Sequence, residues 1–416
     1  MKYGLIADRI GHSFSADIHK KLFGYEYELK AVAENELDSF MRSKDFLAIN
    51  VTIPYKERVT PFLDHIDPVA ESIGAVNTVV NREGKLYGYN TDADGLASLL
   101  TVNQIELKDK TVLVLGSGGT SKTAAYVANS LGASEVYRIS RGGKDDCITY
   151  EAALKVHSDA DVIINTTPCG MYPNVNEYPI DISAFSRLSA VVDVVYNPLK
   201  TKLVCDARQR NIKAVGGLYM LVAQAAKAAE HFVGRSVEPK RIDEIYKNLY
   251  KSKENIVLVG MPGCGKTAAA RFIAQRLGSE LIDTDEMIKD KIGKAPCHII
   301  KDHGETAFRD IETNVIKEIS PLQGKVISTG GGAVLRRENV DALRRNGRIY
   351  FIDRPLDDIR VSDDRPLSSN RDDLKKRFEE RYNIYLNCAD VRIVPVDGAE
   401  LNADMILEDF NENSCN

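Results

Sequence analysis

The sequence predicts an α/β protein of two or three domains, and three observations support this prediction. Apolar runs of strand length alternate along the chain with stretches of helical periodicity. Two of these runs lead directly into glycine-rich loops followed by helical patterns, one loop beginning at Gly116 and the other at Gly260. A length of 416 residues is also too great for one hydrophobic core. We therefore expect each glycine loop to belong to a separately folded domain.

The composition is that of an ordinary soluble protein, with 44% hydrophobic and 28% charged residues. A formal net charge of -5 gives no electrostatic basis for binding nucleic acid. The chain has no signal-like segment and no apolar stretch of about 18 residues, so we expect neither secretion nor a membrane span. Its 7 cysteines are scattered without a C-x-x-C pair, which indicates reduced thiols in the cytoplasm rather than disulfides or a zinc site.

The glycine loop that begins at Gly260 is the most specific local signal in the chain. It follows an apolar run at residues 256–259, precedes a helical pattern at residues 268–277 and fits G-x-x-x-x-G-K-[ST]. Glycines let backbone N–H groups surround a phosphate, and a helix N-terminus adds positive potential. Lys266 can reach the outer phosphates, and the Thr267 hydroxyl can bind Mg²⁺. The pattern predicts an ATP or GTP site made of Gly260, Gly263, Cys264, Gly265, Lys266 and Thr267.

The earlier glycine loop predicts a dinucleotide site. Residues 110–115 have a strand pattern, residues 116–119 form the loop, residues 123–131 are helical and residues 135–140 form another strand, which makes a Rossmann-type βαβ unit. An acid about twenty positions after the loop suits NAD, whereas arginine suits the 2′-phosphate of NADP. Arg141 stands in that region, so NADP is favoured, but two nearby aspartates leave NAD open. The residues assigned to the cofactor are Gly116, Ser117, Gly118, Gly119, Ser140, Arg141, Lys144 and Gly217.

Six short blocks in the first half of the chain occur in a fixed order. They are HSFS at 12–15, NVTIPYK at 50–56, GAVNT at 74–78, NTD at 90–92, the loop at 116–119 and MLVAQ at 220–224. Together they resemble the successive motifs of shikimate dehydrogenase, over residues 1 to about 250. The resemblance implies a catalytic pair formed by Lys56 and Asp92. It further implies a substrate site made of Ser13 and Ser15 for the carboxylate, and of Thr52, Asn77, Gln224 and Tyr196 for the rest of the ring.

The residue types of this pair suit the reduction of a ketone. Transfer of a hydride to a carbonyl carbon leaves charge on the oxygen, so a proton donor must lie beside that oxygen. A lysine next to an aspartate fits this task, because the carboxylate positions the ammonium and the ammonium stabilises the developing charge. Taken alone, Lys56 would be a solvated charge and each Ser, Thr or Asn a cap or turn residue. Only the joint pattern favours a catalytic site.

A second set of blocks follows the loop at Gly260. They are DTD at 283–285, FRDIE at 308–312, STGGG at 328–332, RPL at 365–367, and Arg381 with Tyr385. Residues 255–416 resemble shikimate kinase, a small P-loop fold of the nucleoside monophosphate kinase type. Singly, these blocks would be a helix cap, a surface ion pair and a loop; it is their order behind the glycine loop that supports the resemblance.

The resemblance to shikimate kinase implies a role for each block. Asp285 would bind the acceptor hydroxyls, while Thr267 and Asp283 would serve the metal ion, the latter through water. Arg309 and Arg381 would grip the substrate carboxylate by charge-assisted hydrogen bonds. The remaining assignments are backbone N–H groups of Gly330, Gly331 and Gly332 for the substrate, Glu312 to orient Arg309, and Arg365 on a lid over the transferred phosphate.

The resemblances imply a bifunctional enzyme. Its first domain, residues 1–250, would combine an α/β substrate subdomain (1–100 and 218–250) with a Rossmann NADP-binding subdomain (101–217), and residues 254–416 would form a P-loop kinase domain with a parallel sheet flanked by helices. NADPH would reduce 3-dehydroshikimate to shikimate, and ATP with Mg²⁺ would convert shikimate to shikimate 3-phosphate. Only small-molecule partners are expected. Two alternatives stay open: a quinate/shikimate dehydrogenase fused to a kinase of another polyol, and a catalytically silent sensor of these ligands.

Overall fold

The computed structural model describes residues 1–9, 13–143, 146–359 and 371–415. The chain divides into two compact units, Met1–Tyr246 and Lys247–Asn416, and each is described by itself. Both units are α/β, as the sequence predicts, whereas the finer domain bounds given above stay predictions. Among the described residues, no helix combines the length and the apolar character needed to cross a membrane.

The first unit begins with a mixed sheet of six strands. Its order is β2-β1-β3-β5-β6-β4, with β1, β2 and β3 parallel and β5 antiparallel to both β3 and β6. The strands are β1 (Tyr3–Ala7), β2 (Glu28–Ala31), β3 (Ala48–Val51), β4 (His65–Ile66), β5 (Thr78–Arg82) and β6 (Lys85–Tyr89). The helices of this part are α1 (Ser15–Phe23), α2 (Leu37–Ser43), α3 (Pro68–Ile73) and α4 (Thr91–Val102). Strand β5 starts directly after Asn77, whose side chain accepts from the backbone N of Thr91 at the start of α4.

A second sheet of six parallel strands forms the rest of this unit. Its order is β12-β11-β10-β7-β8-β9, a doubly wound arrangement in which the order reverses at β7. The strands are β7 (Thr111–Leu115), β8 (Glu135–Ile139), β9 (Cys147–Ile148), β10 (Val162–Asn165), β11 (Ala190–Asp193) and β12 (Lys213–Val215). The helices are α5 (Gly119–Ser130), α6 (Tyr150–Val156), α7 (Lys202–Gln209), α8 (Leu218–Val233) and α9 (Pro239–Lys253).

Hydrophobic packing explains why β7 reads as a continuous apolar run. Val112 and Val114 face one core with α4, α5 and α8, whereas Leu113 and Leu115 face the other core with α6 and α7, and all four are fully buried. Helices α4 and α8 pack closely at Gly95, where a Cβ would lie 2.7 Å from the carbonyl oxygen of Met220. This close approach brings the first turn of α4 beside the start of α8.

The second unit contains one sheet of five parallel strands, in the order β14-β15-β13-β16-β17. The strands are β13 (Asn255–Val259), β14 (Leu281–Asp283), β15 (Val326–Ser328), β16 (Gly347–Ile352) and β17 (Val391–Ile393). The helices are α10 (Lys266–Leu277), α11 (Thr284–Ile292), α12 (Pro296–Ile319), α13 (Arg337–Arg344), α14 (Arg371–Cys388) and α15 (Ala399–Asn413). Strand β13 is central and buried throughout, so the loop that follows it opens at the carboxyl edge of the sheet, where ligands of α/β folds bind.

Candidate active sites

The first unit contains a cavity of about 860 Å³ at the carboxyl ends of strands from both of its sheets. Its wall includes residues that follow β1, β3, β10 and β11 directly in the chain. The predicted site residues that line it are Ser13, Ser15, Thr52, Lys56, Asn77, Asp92, Tyr196, Gly217 and Gln224. The fold therefore brings together every predicted catalytic and substrate-binding residue of the dehydrogenase half.

Lys56 and Asp92 form an ion pair in this cavity. The Nζ of Lys56 lies 2.5 Å from Oδ2 of Asp92, and the two side chains are only 13% and 10% exposed. Nζ also donates to Oγ1 of Thr120 at 3.2 Å. An ammonium has three N–H donors, so these two bonds leave one donor for a ligand in the cavity. The pair is thus fixed in position and still able to bind a carbonyl oxygen.

The side chains of Asn77 and Gln224 are held through Thr91, the first residue of α4. Oδ1 of Asn77 accepts from the backbone N of Thr91 at 2.8 Å, and Nδ2 of Asn77 donates to Oγ1 of the same threonine at 3.1 Å. Oγ1 of Thr91 in turn lies 3.5 Å from Oε1 of Gln224. The sequence analysis did not single out Thr91, although the NTD block contains it. This network fixes the polar ends that face the cavity.

Ser13 and Ser15 lie at the start of α1. Oγ of Ser13 accepts from the backbone N of Ser15 at 3.2 Å, so the hydroxyl serves as a turn acceptor as well as lining the cavity. The ring of Tyr196 packs against Phe14, with centroids 5.5 Å apart, and burial raises the pKa of the tyrosine. Its hydroxyl is therefore neutral and available as a hydrogen-bond donor at neutral pH. His12, which completes this block, lies outside the described residues.

The first glycine loop connects β7 to α5. Gly116 has φ +127, and a Cβ there would lie 2.5 Å from Oγ1 of Thr166, so another residue would not fit. Gly118 is the N-cap of α5, with nothing within 4 Å of its Cβ position, and Gly119 is the first helical residue. The exposed N–H groups and the dipole of α5 therefore offer an anion site. The backbone carbonyl of Ser117 accepts from Arg138, at 3.3 Å from Nη2.

The residues that follow β8 correspond to the predicted ribose-phosphate site. Ser140 follows β8 directly and Arg141 is exposed, whereas Lys144 and Asp145 lie outside the described residues. Arg138, on β8 itself, was not predicted; its Nε is buried and has no hydrogen-bond partner. Gly217 follows β12 and packs against β11, because a Cβ there would lie 2.0 Å from the carbonyl oxygen of Val194. Its backbone can thus approach a bound ligand closely.

The second glycine loop, after β13, has the geometry of a phosphate cradle. Its glycines Gly260, Gly263 and Gly265 have φ values of +145, +84 and +104, which other residues adopt rarely. Lys266 is buried, and its Nζ donates to the carbonyl oxygens of Gly260 and Met261, both at 3.0 Å. The ammonium is therefore held at the loop, where it can contact a phosphate.

Cys264 inside this loop is 1% exposed, and its sulfur lies 3.9 Å from Nζ of Lys266. Its backbone carbonyl accepts from Nε of Arg354 at 3.2 Å, a contact that the sequence analysis missed. The thiol thus fills space within the loop. Arg365, predicted to lie on a lid, is outside the described residues.

Three side-chain oxygens meet at the carboxyl ends of β14 and β15. Oγ1 of Thr267 donates to Oδ2 of Asp283 at 2.9 Å and lies 3.1 Å from Oγ of Ser328. Within the described parts of the chain, no group of three or more His, Cys, Asp or Glu side chains could hold a metal ion. Mg²⁺ in nucleotide sites needs no such group, because it keeps several waters and binds one or two protein oxygens with the phosphates. The donor set fits Mg²⁺.

Arg309 and Arg381 of the second unit are called the arginine grip below. They face the three glycines after β15, Gly330, Gly331 and Gly332. Nη1 of Arg309 donates to Oε2 of Glu312 at 2.7 Å, and the glutamate side chain is fully buried. Nη1 of Arg381 donates to the carbonyl oxygen of Gly331 at 3.4 Å, and the hydroxyl of Tyr385 donates to the same oxygen. The grip is therefore fixed from two helices, α12 and α14. The predicted pairing of Glu312 with Arg309 is present.

Asp285, in the first turn of α11, lies beside Gly330. A Cβ on this glycine would lie 2.8 Å from Oδ1 of Asp285 and 2.7 Å from Oε1 of Glu312. Burial, together with the negative charges of Asp283 and Glu312, raises the pKa of Asp285 to about 6, although Lys266 and Arg309 oppose this. An aspartate with a raised pKa at the mouth of a nucleotide loop is typical of a functional carboxylate.

Gly332 touches Arg309, so we expect Gly332→Ala to damage the second site alone. A Cβ at this position would lie 2.1 Å from Nη2 of Arg309, and the φ of -107 gives alanine no backbone strain. The methyl group must therefore displace the guanidinium, and a displacement of about 1 Å can lower a rate by about 10²-fold. We expect phosphorylation to fall by that factor. Ketone reduction by the same purified chain is the internal control, and its loss would indicate general misfolding instead.

Comparisons with known proteins identify both units. Residues 5–79 match the family described as shikimate dehydrogenase substrate binding domain, and residues 262–411 match shikimate kinase. The chain is 35% identical over 264 residues to a shikimate dehydrogenase (NADP(+)) of Clostridium perfringens, which covers 59% of this chain and 97% of the relative.

Solved structures agree with the match of the first unit. Shikimate dehydrogenase 1 of Peptoclostridium difficile is similar with a TM-score of 0.56 and 35% identity, covering 60% of this chain and 98% of that one. Shikimate 5-dehydrogenase of Thermus thermophilus, solved in complex with NADP(H) and shikimate, is similar with a TM-score of 0.54 and 29% identity, covering 60% and 99%. The chain therefore belongs to the shikimate dehydrogenase family through its first unit, and its second unit carries a shikimate kinase domain.

Proposed function

We propose that the chain is a bifunctional enzyme of shikimate synthesis and phosphorylation. The first unit reduces 3-dehydroshikimate to shikimate with NADPH, and the second transfers the terminal phosphoryl group of ATP to shikimate. The observation that carries the proposal is the convergence of the predicted substrate residues on one cavity around the Lys56–Asp92 pair. The family matches support neither the polyol-kinase nor the silent-sensor alternative.

In the first site, the ring is held so that its ketone oxygen meets the Lys56 ammonium. The hydroxyls of Ser13 and Ser15 bind the substrate carboxylate, and Thr52, Asn77 and Gln224 bind its hydroxyls. This division is what the family resemblance implies, and all five side chains line the cavity. Asn77 and Gln224 are tied to Thr91, so they lose little side-chain freedom when the ring binds. Tyr196, which also lines the cavity and lies shortly after β11, contacts the ring.

NADPH, when bound, supplies the hydride that adds to the ketone carbon. Lys56 donates a proton to the oxygen as its charge develops, and the resulting alcohol is shikimate. Asp92 keeps the ammonium in place. The loop of Gly116, Ser117, Gly118 and Gly119 would hold the cofactor phosphates, and Arg141, which is exposed after β8, would hold the 2′-phosphate. Ser140, Lys144 and Gly217 complete this assignment.

In the second site, phosphoryl transfer depends on positioning and charge neutralisation. ATP, when bound, supplies the phosphoryl group, and Mg²⁺ neutralises its charge. Lys266 and the N–H groups of the loop hold the phosphates, while Thr267 and Asp283 hold the metal ion, directly and through water. The arginine grip binds the shikimate carboxylate, and the N–H groups of Gly330, Gly331 and Gly332 bind the ring. Asp285 accepts the proton of the attacking hydroxyl.

We expect the kinase activity to fall below about pH 6. Asp285 accepts a proton only when ionised, and its pKa is raised to about 6, so the active fraction decreases as the pH falls through that value. A profile of kcat/KM for shikimate between pH 5 and 8 should show one acidic limb near 6. Asp285→Asn should lower kcat by at least about 10²-fold and remove the limb. An unchanged limb in that variant would assign it to another group.

One incubation tests the proposed function directly. The purified full chain with 3-dehydroshikimate, NADPH and Mg-ATP should yield shikimate 3-phosphate, identified by mass. Leaving out ATP should stop the reaction at shikimate, and leaving out NADPH should leave the ketone unreduced. Removing Mg²⁺ with a chelator should stop phosphorylation, because the second site has oxygen donors suited to that ion, and should leave reduction intact, because hydride transfer with Lys56 as the proton donor requires no metal ion. The absence of both products would refute the proposal.

The compartment is a further part of this proposal. We place the chain in the cytoplasm, because its 7 cysteines, all within the described residues, form no disulfide with one another, and three of them are buried. Separation of the native host into compartments, followed by assay of both activities, would check this assignment.

A further inference from the structure

The carboxylate of Glu305 lies in the arginine grip of the second unit. Its Oε1 accepts from Nη2 of Arg309 at 2.9 Å and lies 3.8 Å from Nη2 of Arg381. Under the proposed function, these two guanidinium groups receive the carboxylate of shikimate. A carboxylate of the chain itself therefore takes the position that a carboxylate of the ligand requires.

Two glutamates contact Arg309, and their environments differ. Glu312 pairs with Nη1 of Arg309, and its side chain is fully buried. Glu305 pairs with Nη2 of Arg309, and its side chain is 39% exposed. Moving Glu312 would leave a charge buried without its partner, but Glu305 can turn into water at a small cost. Glu305 is therefore the exchangeable member of the pair.

A ligand carboxylate at the grip would lie beside Glu305. Arg309 and Arg381 are paired with Glu305 and Glu312, and Arg377 adds a further positive charge nearby. A ligand carboxylate bound to both arginines of the grip would take over the contacts that Glu305 makes and would repel it. Ligand binding at the grip therefore favours the departure of Glu305.

Helix α12 is interrupted directly before Glu305. Gly304 has φ 86 and ψ 164, which breaks the helical backbone, and nothing lies within 4 Å of its Cβ position. Glu305 is thus the first residue of a new helical segment, whereas Arg309 and Glu312 lie further inside that segment. The first residue of a helix is held on one side only, so Glu305 can move without displacing the arginine.

The grip is incompletely satisfied when Glu305 occupies it. Nε of Arg309 and Oε1 of Glu312 are both buried and have no hydrogen-bond partner among the residues that the structure describes. Buried polar atoms normally have hydrogen-bond partners. These two atoms therefore indicate a site for a ligand that accepts a hydrogen bond from Nε of Arg309 and donates one to Oε1 of Glu312. Burial would raise the pKa of Glu305, but the hydrogen bond from Arg309 and the charges of Arg309, Arg377 and Arg381 lower it. The carboxylate is ionised at neutral pH.

We propose that Glu305 is an internal substitute for the substrate carboxylate, which keeps the arginine grip aligned while it is empty and is displaced when a carboxylated ring binds. This inference rests on the proposed kinase function. Glu305 is a positioning residue that also sets selectivity, because a ligand reaches both arginines only if its own carboxylate competes with that of the glutamate. Neutral rings cannot compete.

The variant Glu305→Gln tests this proposal in the full chain. Removing the competing charge should lower KM for shikimate by about 3- to 10-fold, and it should leave kcat and KM for ATP within about twofold. Asp302→Asn is the matched control, because Asp302 lies on the same helix but pairs with Lys294, at 2.7 Å, and its charge interactions involve neither arginine of the grip. An unchanged or raised KM in Glu305→Gln, or an equal fall in Asp302→Asn, would overturn the proposal.

Selectivity supplies a second readout. The methyl ester of shikimate has the ring and the hydroxyls but no negative charge, so it cannot displace Glu305 in the wild-type chain, and Glu305→Gln should improve its binding at least as much as that of the acid. The ratio of ester KM to acid KM should therefore stay constant or fall in the variant. A ratio that rises, because only the acid gains, would show that Glu305 acts by repulsion alone and would overturn the displacement.

Crystal structures of the wild-type chain, with and without shikimate, separate this inference from the proposed function. With shikimate bound, its carboxylate should contact both arginines and Glu305 should have left Nη2 of Arg309. Shikimate in the grip with Glu305 unmoved would overturn the displacement alone. A cleft that never binds the ring, in a chain that does not phosphorylate shikimate, would remove the proposed function and this inference together.

Discussion

Replacement of Lys56 by alanine is expected to abolish ketone reduction and to spare phosphorylation. The ammonium is fixed by Asp92 and Thr120, and its remaining N–H faces the cavity. Its loss removes both the proton donor and the charge that stabilises the developing alkoxide, so kcat for NADPH oxidation should fall by at least about 10³-fold. Steady-state kinetics with 3-dehydroshikimate measures the reductase, and a coupled ADP assay with shikimate measures the kinase.

Lys227→Ala is the matched control for this variant. Lys227 belongs to the same unit and also forms an ion pair, with Glu230 at 3.1 Å, but it lies outside the 860 Å³ cavity. This variant should keep both activities within about twofold, because exposed pairs contribute little. Retention of more than about a tenth of kcat in Lys56→Ala would show that another group donates the proton. Loss of both activities would show that the two sites are not independent.

The two glycine loops were predictable because their signal is local. An apolar strand, glycines at fixed spacing and a helical pattern stand next to one another in the sequence, and the structure has them in that order. The helices nevertheless begin earlier than expected, at Gly119 rather than residue 123 and at Lys266 rather than residue 268. Glycine and polar residues have low helix propensity, so the patterns excluded them. At a phosphate loop, their backbone N–H groups belong to the first turn of the helix.

The catalytic pair could not be found from local patterns. Lys56 and Asp92 are 36 residues apart, on a loop after β3 and on the first turn of α4, and only the fold brings them to 2.5 Å. The family resemblance supplied this pair, since it carries three-dimensional information from other members. It did not supply Thr120, which reaches Lys56 from the first turn of α5. A threonine after a glycine loop gives no signal of its own.

Glu305 was missed for a physical reason. A glutamate four residues before an arginine on a helix normally forms a solvated pair that contributes little. Here Arg309 is only 9% exposed, and the break at Gly304 lets Glu305 turn inward to it. Neither burial nor the positive φ of one glycine is visible in the spacing of charges. Arg354 and Arg138, which reach the two glycine loops from neighbouring strands, were missed for the same reason.

Replacement of Lys266 by alanine is expected to give the converse result. Its ammonium bonds to two carbonyls of the loop and lies where the outer phosphates bind, so its removal takes away a fixed positive charge from the transferred group. We expect kcat for phosphorylation to fall by about 10²- to 10³-fold or more, with reduction unchanged. Lys325→Ala, which breaks an exposed pair with Glu280 in the same unit, should leave both activities intact. Substantial kinase activity in Lys266→Ala would contradict the assignment of the loop.

Mixing Lys56→Ala with Lys266→Ala provides a final test of independence. Each variant retains one active site, and shikimate released by the second variant can diffuse to the kinase site of the first. The mixture should therefore convert 3-dehydroshikimate to shikimate 3-phosphate with NADPH and Mg-ATP, although neither variant does so alone. The lag before shikimate 3-phosphate appears should shorten as the protein concentration rises, because shikimate must diffuse from one chain to another. A mixture that makes shikimate but no shikimate 3-phosphate, although it phosphorylates added shikimate, would show that shikimate does not leave the chain that forms it.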